Sequence, residues 1–174
     1  MNNKAYLAQT NLKSERTYFK LLEKIDFDTI LNLFSEENIF QYITPHKNKT
    51  REERIDFLNT KLNHNQTGEG FYWIVKSNDT DEFIGAINLT PIPNTKNLQI
   101  GWMISEKFRG QGLAYECAQT VKDFFLSNES FDKIYAVYEN ENKASEKIIN
   151  KLGFKHLKSV SEDKIVVHTY VLEK

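Results

Sequence analysis

An arginine and two glycines stand directly before a long predicted helix. The segment from Ser105 to Phe125 reads SEKFRGQGLAYECAQTVKDFF, with Arg109, Gly110 and Gly112 near its start. The first turn of a helix carries backbone N–H groups that have no partner inside the helix, and together with the helix dipole they attract anions. Small residues let a phosphate approach the backbone, and arginine offers it a planar cation. The loop Arg109–Ala114 therefore predicts a diphosphate site.

Two other interpretations of this loop stay open at this point. A tight turn between a strand and a helix also needs glycine torsions. A dinucleotide fingerprint wants GxGxxG, but GQGLAY puts Tyr115 where the third glycine belongs. Glu139, at the end of the next predicted strand, would then imitate the ribose-binding acid, although the chain has too few strand–helix units for a full dinucleotide fold. A P-loop is excluded, because the pattern GxxxxGK[ST] is absent.

The first half of the chain predicts one strand and several helices that precede this loop. Arg16–Leu22 is typical of a strand. Asp26 is placed to cap a helix, and a second short helical piece is expected over Asn38–Ile43. Thr50 and Glu53, three residues apart, form a capping box at the start of a further helix.

The second half predicts a sheet with helices interposed. Three strands joined by short turns are expected to be antiparallel neighbours: Phe71–Lys76, Glu82–Thr90 and Asn97–Ser105. The helix after the loop has an apolar face of Leu113, Cys117, Val121, Phe124 and Phe125. A strand at Lys133–Tyr138, a helix between Asn142 and Gly153, and a hairpin of Lys155–Val160 and Ile165–Leu172 complete the chain. The strand–helix–strand order predicts a right-handed crossover between parallel strands, and the whole is an α/β (α+β) fold on a mixed sheet.

Composition narrows the class of protein. The chain has 174 residues, a formal net charge of −1 and a pI near 6.4, so we expect one domain over residues 1–174 without a nucleic-acid or membrane partner. Cys117 is the single cysteine, which fits a reducing compartment, and the default location is cytoplasmic. The spacing of the four histidines is not that of a metal site, so no metal is expected.

Three spaced motifs resemble the GCN5-related N-acetyltransferase (GNAT) superfamily, in particular its branch of ribosomal-protein-alanine N-acetyltransferases (RimJ/RimL type). The opening LKSERTYFKLL resembles the branch's T-E-R-L start, and IGWMISEKFRGQGLAYE resembles its core I-G-Y…R-G-x-G-x-A-x-E. The segment ENKASEKIINKLGF resembles its N-x-A-S…K-x-G-F ending. The likeness covers nearly the whole chain. It implies a six- to seven-stranded, mostly antiparallel sheet with about four helices, and a parallel strand pair that splays at the cofactor.

The resemblance implies acetyl-CoA as co-substrate and assigns its contacts. The pantetheine arm would pair with the backbone of Met103 and Ile104, and Asn142 would bond its far end. The pyrophosphate would lie on the backbone amides of Arg109, Gly110, Gln111, Gly112, Leu113 and Ala114.

Acyl transfer to an amine needs a neutral amine, and a donor for the departing thiolate. Ser145 interrupts an apolar helix face and is the first candidate for that donor, although a bond back to its own helix is an equal interpretation. Tyr138 is the alternative acid. In the branch an acidic residue recurs at the position of Glu116 and faces the acceptor, which makes Glu116 the candidate general base. The helix dipole also stabilises a carboxylate in the first turn of a helix, so a structural role is the other interpretation. Glu162 and Asp163 lie in a turn that approaches the acceptor in the branch, but Val166 stands where the branch often has Asp.

The predicted function is direct acetyl transfer from acetyl-CoA to a primary amine. The acceptor implied by the branch is a protein N-terminus such as that of a ribosomal protein; a small amine such as a polyamine, an amino acid or an antibiotic is the alternative. A sensor that binds CoA or a nucleotide without turnover is the alternative of another class. Trp73, Tyr72 and Trp102 are candidates for the acceptor pocket or for the core. The resemblance leaves monomer and homodimer open.

Overall fold

Seven strands form one mixed sheet in the order β1-β2-β3-β4-β5-β7-β6. The structure is a computed structural model that describes residues 10–95, 97–128 and 131–174. The strands are β1 (Thr17–Leu21), β2 (Phe71–Ser77), β3 (Phe83–Pro91), β4 (Leu98–Ile104), β5 (Lys133–Glu139), β6 (Lys155–Glu162) and β7 (Ile165–Glu173). Every neighbouring pair is antiparallel except β4 and β5, which run parallel. The predicted mixed, mostly antiparallel sheet is confirmed.

Four α-helices flank this sheet in the described part of the chain: α1 (Phe27–Leu33), α2 (Arg51–Thr67), α3 (Leu113–Ser127) and α4 (Lys143–Lys151). Two apolar clusters divide them between the two faces of the sheet. Leu58 of α2 packs with Ile74 and Ala86 on one face, together with α1. The apolar side chains of α3 and α4 pack on the other face with Trp73 and Ile87. Within the described ranges, no helix is both long and apolar enough to cross a membrane.

The capping box predicted at Thr50 is present. The N–H of Glu53 donates to the Thr50 hydroxyl at 3.2 Å, and the Thr50 N–H donates to the Glu53 carboxylate at 2.8 Å. Asp26 behaves differently from the prediction, because its side chain does not cap α1. Its carboxylate accepts from the N–H of Glu23 at 2.8 Å and so closes the short 3₁₀ turn Lys24–Asp26.

The prediction of a short helical piece at Asn38–Ile43 is wrong. This segment is a run of turns that ends in the 3₁₀ turn Thr44–His46. Asn38 has a φ of +61°, a left-handed conformation that asparagine tolerates but that interrupts a right-handed helix. The chain therefore crosses the sheet face between α1 and α2 as an irregular segment.

The parallel contact between β4 and β5 is short. Only three residue pairs are in register, Leu98 with Ile134, Gln99 with Tyr135 and Ile100 with Ala136. The rest of β4 stays paired with β3 up to Ile104, and the rest of β5 stays paired with β7. The two strands therefore diverge inside the sheet, as the resemblance implies.

Candidate active site

A cleft of about 410 Å³ lies where β4 and β5 diverge, under the segment that joins α1 to α2. Its polar and charged walls come from both strands, both neighbouring helices and β3. These walls include Lys61 of α2, Asn88 of β3, Trp102 of β4, Tyr138 and Glu139 of β5, and Asn142 and Ser145 at the start of α4. Phe34, Phe40, His46 and Phe57 form an aromatic wall on the helix side.

The gap exposes backbone hydrogen-bonding groups of β4. The Asn97 carbonyl accepts from the N–H of Ile92, directly after β3, and the Ser105 N–H donates to the Ile84 carbonyl in β3. Because successive residues direct their backbone groups to opposite neighbours, Trp102 and Ile104 face the gap while Met103 faces β3. The gap therefore offers an extended ligand a partly unpaired strand edge.

The loop before α3 presents a run of free backbone donors. No hydrogen bond between described residues engages the N–H groups of residues 110–115. Gly110 and Gly112 have φ values of +75° and +78°, a left-handed region that strains residues with a side chain. The turn does need glycine torsions, and the same torsions leave the N–H groups of the loop and the first turn of α3 without internal partners. The arrangement fits a phosphate-bearing ligand.

Arg109 is partly committed to the protein itself. Its Nε donates to the carbonyl of Ile104 at 3.0 Å, and its Nη2 lies 3.9 Å from the Glu36 carboxylate. About two-fifths of its side chain remains exposed. Arg109 therefore joins the end of β4 to the loop, and its remaining N–H groups are free for an anion.

Asn142 and Ser145 lie together at the start of α4. The side-chain carbonyl of Asn142 accepts from the Ser145 N–H at 3.1 Å and caps the helix, which leaves the amide nitrogen of Asn142 free. The Ser145 hydroxyl makes no hydrogen bond to any described residue, so the bond back to its own helix is not formed. Since both residues line the cleft, Ser145 presents an uncommitted donor there.

Tyr138 also lines the cleft, but its hydroxyl is engaged. It donates to the carboxylate of Glu146 at 3.0 Å, and its ring stacks on His168 at 4.8 Å between centroids. Burial, with the hydrogen bonds of Tyr170 and Glu146, raises the pKa of Tyr138 above its ordinary value. Tyr138 is therefore a weaker proton donor than its position suggests.

Glu116 is not among the residues that line the cleft. Its carboxylate accepts from the Ser14 hydroxyl at 2.6 Å and from the Arg16 N–H at 2.8 Å, and it pairs with the Arg16 guanidinium at 2.6 Å. Burial alone would raise the pKa of Glu116, but the hydrogen bonds from Ser14 and Arg16 and the Arg16 charge outweigh it and lower the pKa. Its role as general base stays a prediction, and these contacts weigh against it.

A different carboxylate reaches the cleft. Glu139 ends β5 and accepts from the N–H of Thr44 at 2.7 Å through one oxygen. Its second oxygen makes no hydrogen bond within the described ranges. Asp163 lies in the left-handed turn between β6 and β7 and does not line the cleft, and the side chain of Glu162 falls outside the described part of the structure.

The three aromatic candidates divide between core and cleft. Trp73 and Tyr72 are fully buried, and the Trp73 indole N–H donates to the Thr10 carbonyl at 2.9 Å. Trp102 is half-buried and lines the cleft. Cys117 is a core residue, as expected, and burial raises the pKa of its thiol to about 12.

Sequence reasoning did not predict the contacts of three residues, Arg16, Lys61 and Glu139. Arg16 lies in the motif LKSER, but the sequence does not show its partner Glu116, 100 residues away. Lys61 and Glu139 have no local pattern that indicates a cleft. Their roles follow from the tertiary arrangement of α2 and β5 alone.

Comparison with known proteins agrees with this geometry. Residues 16–155 match the family described as Acetyltransferase (GNAT) domain. The YkkB protein of Bacillus subtilis (strain 168) is 30% identical over 160 residues, which span 88% of this chain and 90% of that protein.

Solved structures share the fold at low sequence identity. An acetyltransferase of Salmonella typhimurium that modifies the N-terminal serine of ribosomal protein L7/L12 superposes with a TM-score of 0.77 at 15% identity, over 92% of this chain and 96% of that one. Spermidine N-acetyltransferase from Vibrio cholerae, in complex with CoA and spermine, superposes with a TM-score of 0.76 at 19% identity, over 90% of this chain and 95% of that one.

A splayed parallel strand pair beside a glycine turn with unengaged N–H groups fits the fold of these proteins. The chain belongs to the GNAT acetyltransferase family and is an acetyltransferase.

Proposed function

We propose that the protein transfers an acetyl group from acetyl-CoA to a primary amine by direct attack. The observation that carries the proposal is the run of unengaged N–H groups at residues 110–115, directly beside the divergence of β4 and β5. The diphosphate of CoA would lie on this loop, and Arg109 would add charge. The pantetheine arm would bond the strand edge at the backbone of Trp102 and at the N–H of Ile104, whose carbonyl already accepts from Arg109, with Asn142 donating near the end of the arm. The resemblance assigned this contact to Met103, but the backbone groups of Met103 face β3, so Trp102 takes its place in the proposal.

The residues of the cleft fit the chemical step. The neutral amine attacks the thioester carbonyl, a C–N bond forms, the C–S bond breaks, and the sulfur leaves as thiolate. A thiol has a pKa near 8.5, so a hydrogen bond from the free Ser145 hydroxyl suffices to stabilise it. Glu139 is the carboxylate that reaches the cleft, and we assign to it the role of general base, which accepts the proton that the amine loses.

The family leaves the acceptor open between a protein N-terminus and a small amine. An α-amine has a pKa near 8 and loses its proton at little cost, whereas a lysine-type amine near 10.4 costs about 3 kcal/mol more at neutral pH. The single sheet, which takes strands from Thr17 to Glu173, supports one N-acetyltransferase domain over residues 1–174.

The proposal is tested by incubating the protein with acetyl-CoA and each amine of a panel, and by measuring the CoA thiol that is released only when the amine is present. We expect transfer to at least one α-amine or small amine, and stabilisation of the protein by CoA. Stabilisation by CoA without transfer to any amine would favour the sensor. Stabilisation by NAD in place of CoA would favour the dinucleotide interpretation.

A further inference from the structure

Lys61 places a cation in the wall of the cleft. It projects from α2, lines the cleft beside His46 and Phe57, and is only partly exposed. Its Nζ lies 4.8 Å from the centre of the Phe57 ring. The lysine thus faces the acceptor end of the site and not the bulk solvent around α2.

This cation has no anionic partner among the described residues. No ion pair or hydrogen bond between them involves Lys61. Burial lowers its pKa to about 8, and nothing else is a cause. His46, beside it, has a pKa lowered by burial first and then by the charges of Lys61, Lys49 and Arg54. The helix side of the cleft is therefore a positive environment that lacks its counter-charge, which is characteristic of a site that receives one from a ligand.

The same cleft also contains the contrary charge. Glu139 lines the same cleft, and it is not within 4.0 Å of Lys61, since no salt bridge joins them. A cleft with one fixed anion and one separate fixed cation is complementary to a molecule with an ammonium at one end and an anion at the other. A polyamine, by contrast, would bring a second ammonium towards Lys61.

We propose that the acceptor is a primary amine that also carries a carboxylate, and that Lys61 binds this carboxylate. The inference rests on the proposed function, because it concerns the acceptor of the same reaction. The carboxylate belongs either to a free amino acid or to an acidic residue near the N-terminus of a protein. Lys61 then acts as the residue that determines acceptor specificity, while Glu139 and Ser145 serve the reacting end.

Amines of equal length that differ only at the far end test the inference. The pairs are 4-aminobutanoate with 1,4-diaminobutane and 6-aminohexanoate with 1,6-diaminohexane. α-Amino acids are compared with their amides, and acidic N-terminal peptides with their amidated counterparts, which separates the two sources. We expect kcat/KM to favour the carboxylate partner by about tenfold or more in at least one set. A wild-type preference for diamines, or no preference in any set, would overturn the proposal.

Variants of Lys61 connect the preference to this side chain. Lys61→Met keeps the apolar stem and should remove the preference, and Lys61→Glu should reverse it towards the diamine. Lys158→Glu, on the exposed strand β6, makes the same charge change away from the cleft and should leave the preference intact. A preference that persists in Lys61→Met, with CoA binding retained, would overturn the role of Lys61. Absence of transfer to every amine would instead overturn the proposed function itself.

Discussion

The guanidinium of Arg16 holds the carboxylate of Glu116 through two nitrogens, Nε and Nη2, each 2.6 Å from the same oxygen. The other oxygen of Glu116 accepts from the Ser14 hydroxyl and from the Arg16 N–H. The remaining terminal nitrogen of Arg16 donates to the carbonyl of Gln111 at 3.0 Å. These contacts tie the start of β1 to the first turn of α3 and to the loop before it, so we expect Glu116 to position the loop through Arg16.

Replacement of Arg16 by Met should loosen that loop. We expect CoA affinity to fall about tenfold and the free energy of unfolding to fall by about 1–3 kcal/mol, because Glu116 and the Gln111 carbonyl lose charge-assisted hydrogen bonds. Calorimetric titration with CoA and urea unfolding measure the two effects. Arg51→Met breaks an exposed pair with Asp28 and should change either quantity little. Equal CoA affinity in the Arg16→Met and wild-type proteins would contradict the role of Arg16 in positioning the loop.

The lowered pKa of Glu116 predicts a pH-dependent contribution to stability. A carboxyl whose pKa is lower in the folded than in the unfolded state stabilises the fold above the unfolded value, here 4.5, and loses that contribution as the pH falls through the folded value. The difference in unfolding free energy between wild type and Glu116→Gln should therefore be constant above about pH 6 and shrink below 4.5. Urea titrations at pH values above about 6 and at several values below 4.5 check the sign. A difference that stays constant into the acid range would contradict it.

Two left-handed glycines allow a matched test of the loop. Gly112→Ala and Gly153→Ala both place a side chain at positive φ, at 78° and 86°, so each should lose about 1–2 kcal/mol of stability. Only Gly112 borders the free N–H groups, and an added Cβ there would lie 3.7 Å from Arg16. We expect CoA affinity to drop in Gly112→Ala alone. Unchanged affinity in Gly112→Ala would count against the placement of the diphosphate.

Removal of the Ser145 hydroxyl should slow turnover without weakening acetyl-CoA binding. We expect kcat of Ser145→Ala to fall about 10- to 100-fold while the KM for acetyl-CoA changes little, because the donor acts on the leaving sulfur. Tyr138→Phe should cost less, since that hydroxyl is committed to Glu146. Steady-state kinetics at saturating amine compare them. A larger loss of kcat in Tyr138→Phe would exchange the two roles.

The two carboxylates can be separated by the basicity of the acceptor. Glu139→Gln keeps an oxygen for the Thr44 N–H but cannot take a proton, so its kcat should fall about 10- to 100-fold with an amine of pKa near 10. The loss should be smaller with an amine near 8, which needs less help. Glu116→Gln, measured at saturating acetyl-CoA, should keep most of the wild-type rate. The reverse order would restore Glu116 as the base.

Local signals account for what the sequence predicted. The capping box of Thr50 and Glu53 and the alternation of the strands are short-range patterns, and both are present. The positive φ of Asn38 interrupts the helix that the surrounding pattern predicts, and the sequence does not reveal this backbone angle. Glu116 belongs to the loop motif, but its contacts with Arg16, which lies far away in sequence, hold it outside the cleft, whereas Glu139 reaches the cleft without a local pattern that indicates it. Lys61 is one charge on an otherwise ordinary helix, and only the packing of α2 gives it a role.

The three residue pairs that join β4 to β5 connect two halves of the sheet, and the coenzyme would occupy the place where further pairs are missing. A ligand that bridges two diverging strands also stabilises the folded state. Ligand present at 100 times its dissociation constant adds about 2.7 kcal/mol to the folded state. The survival of this enzyme against proteolysis would thus follow the supply of its own substrate, so that a cell short of acetyl-CoA or CoA would hold less of it.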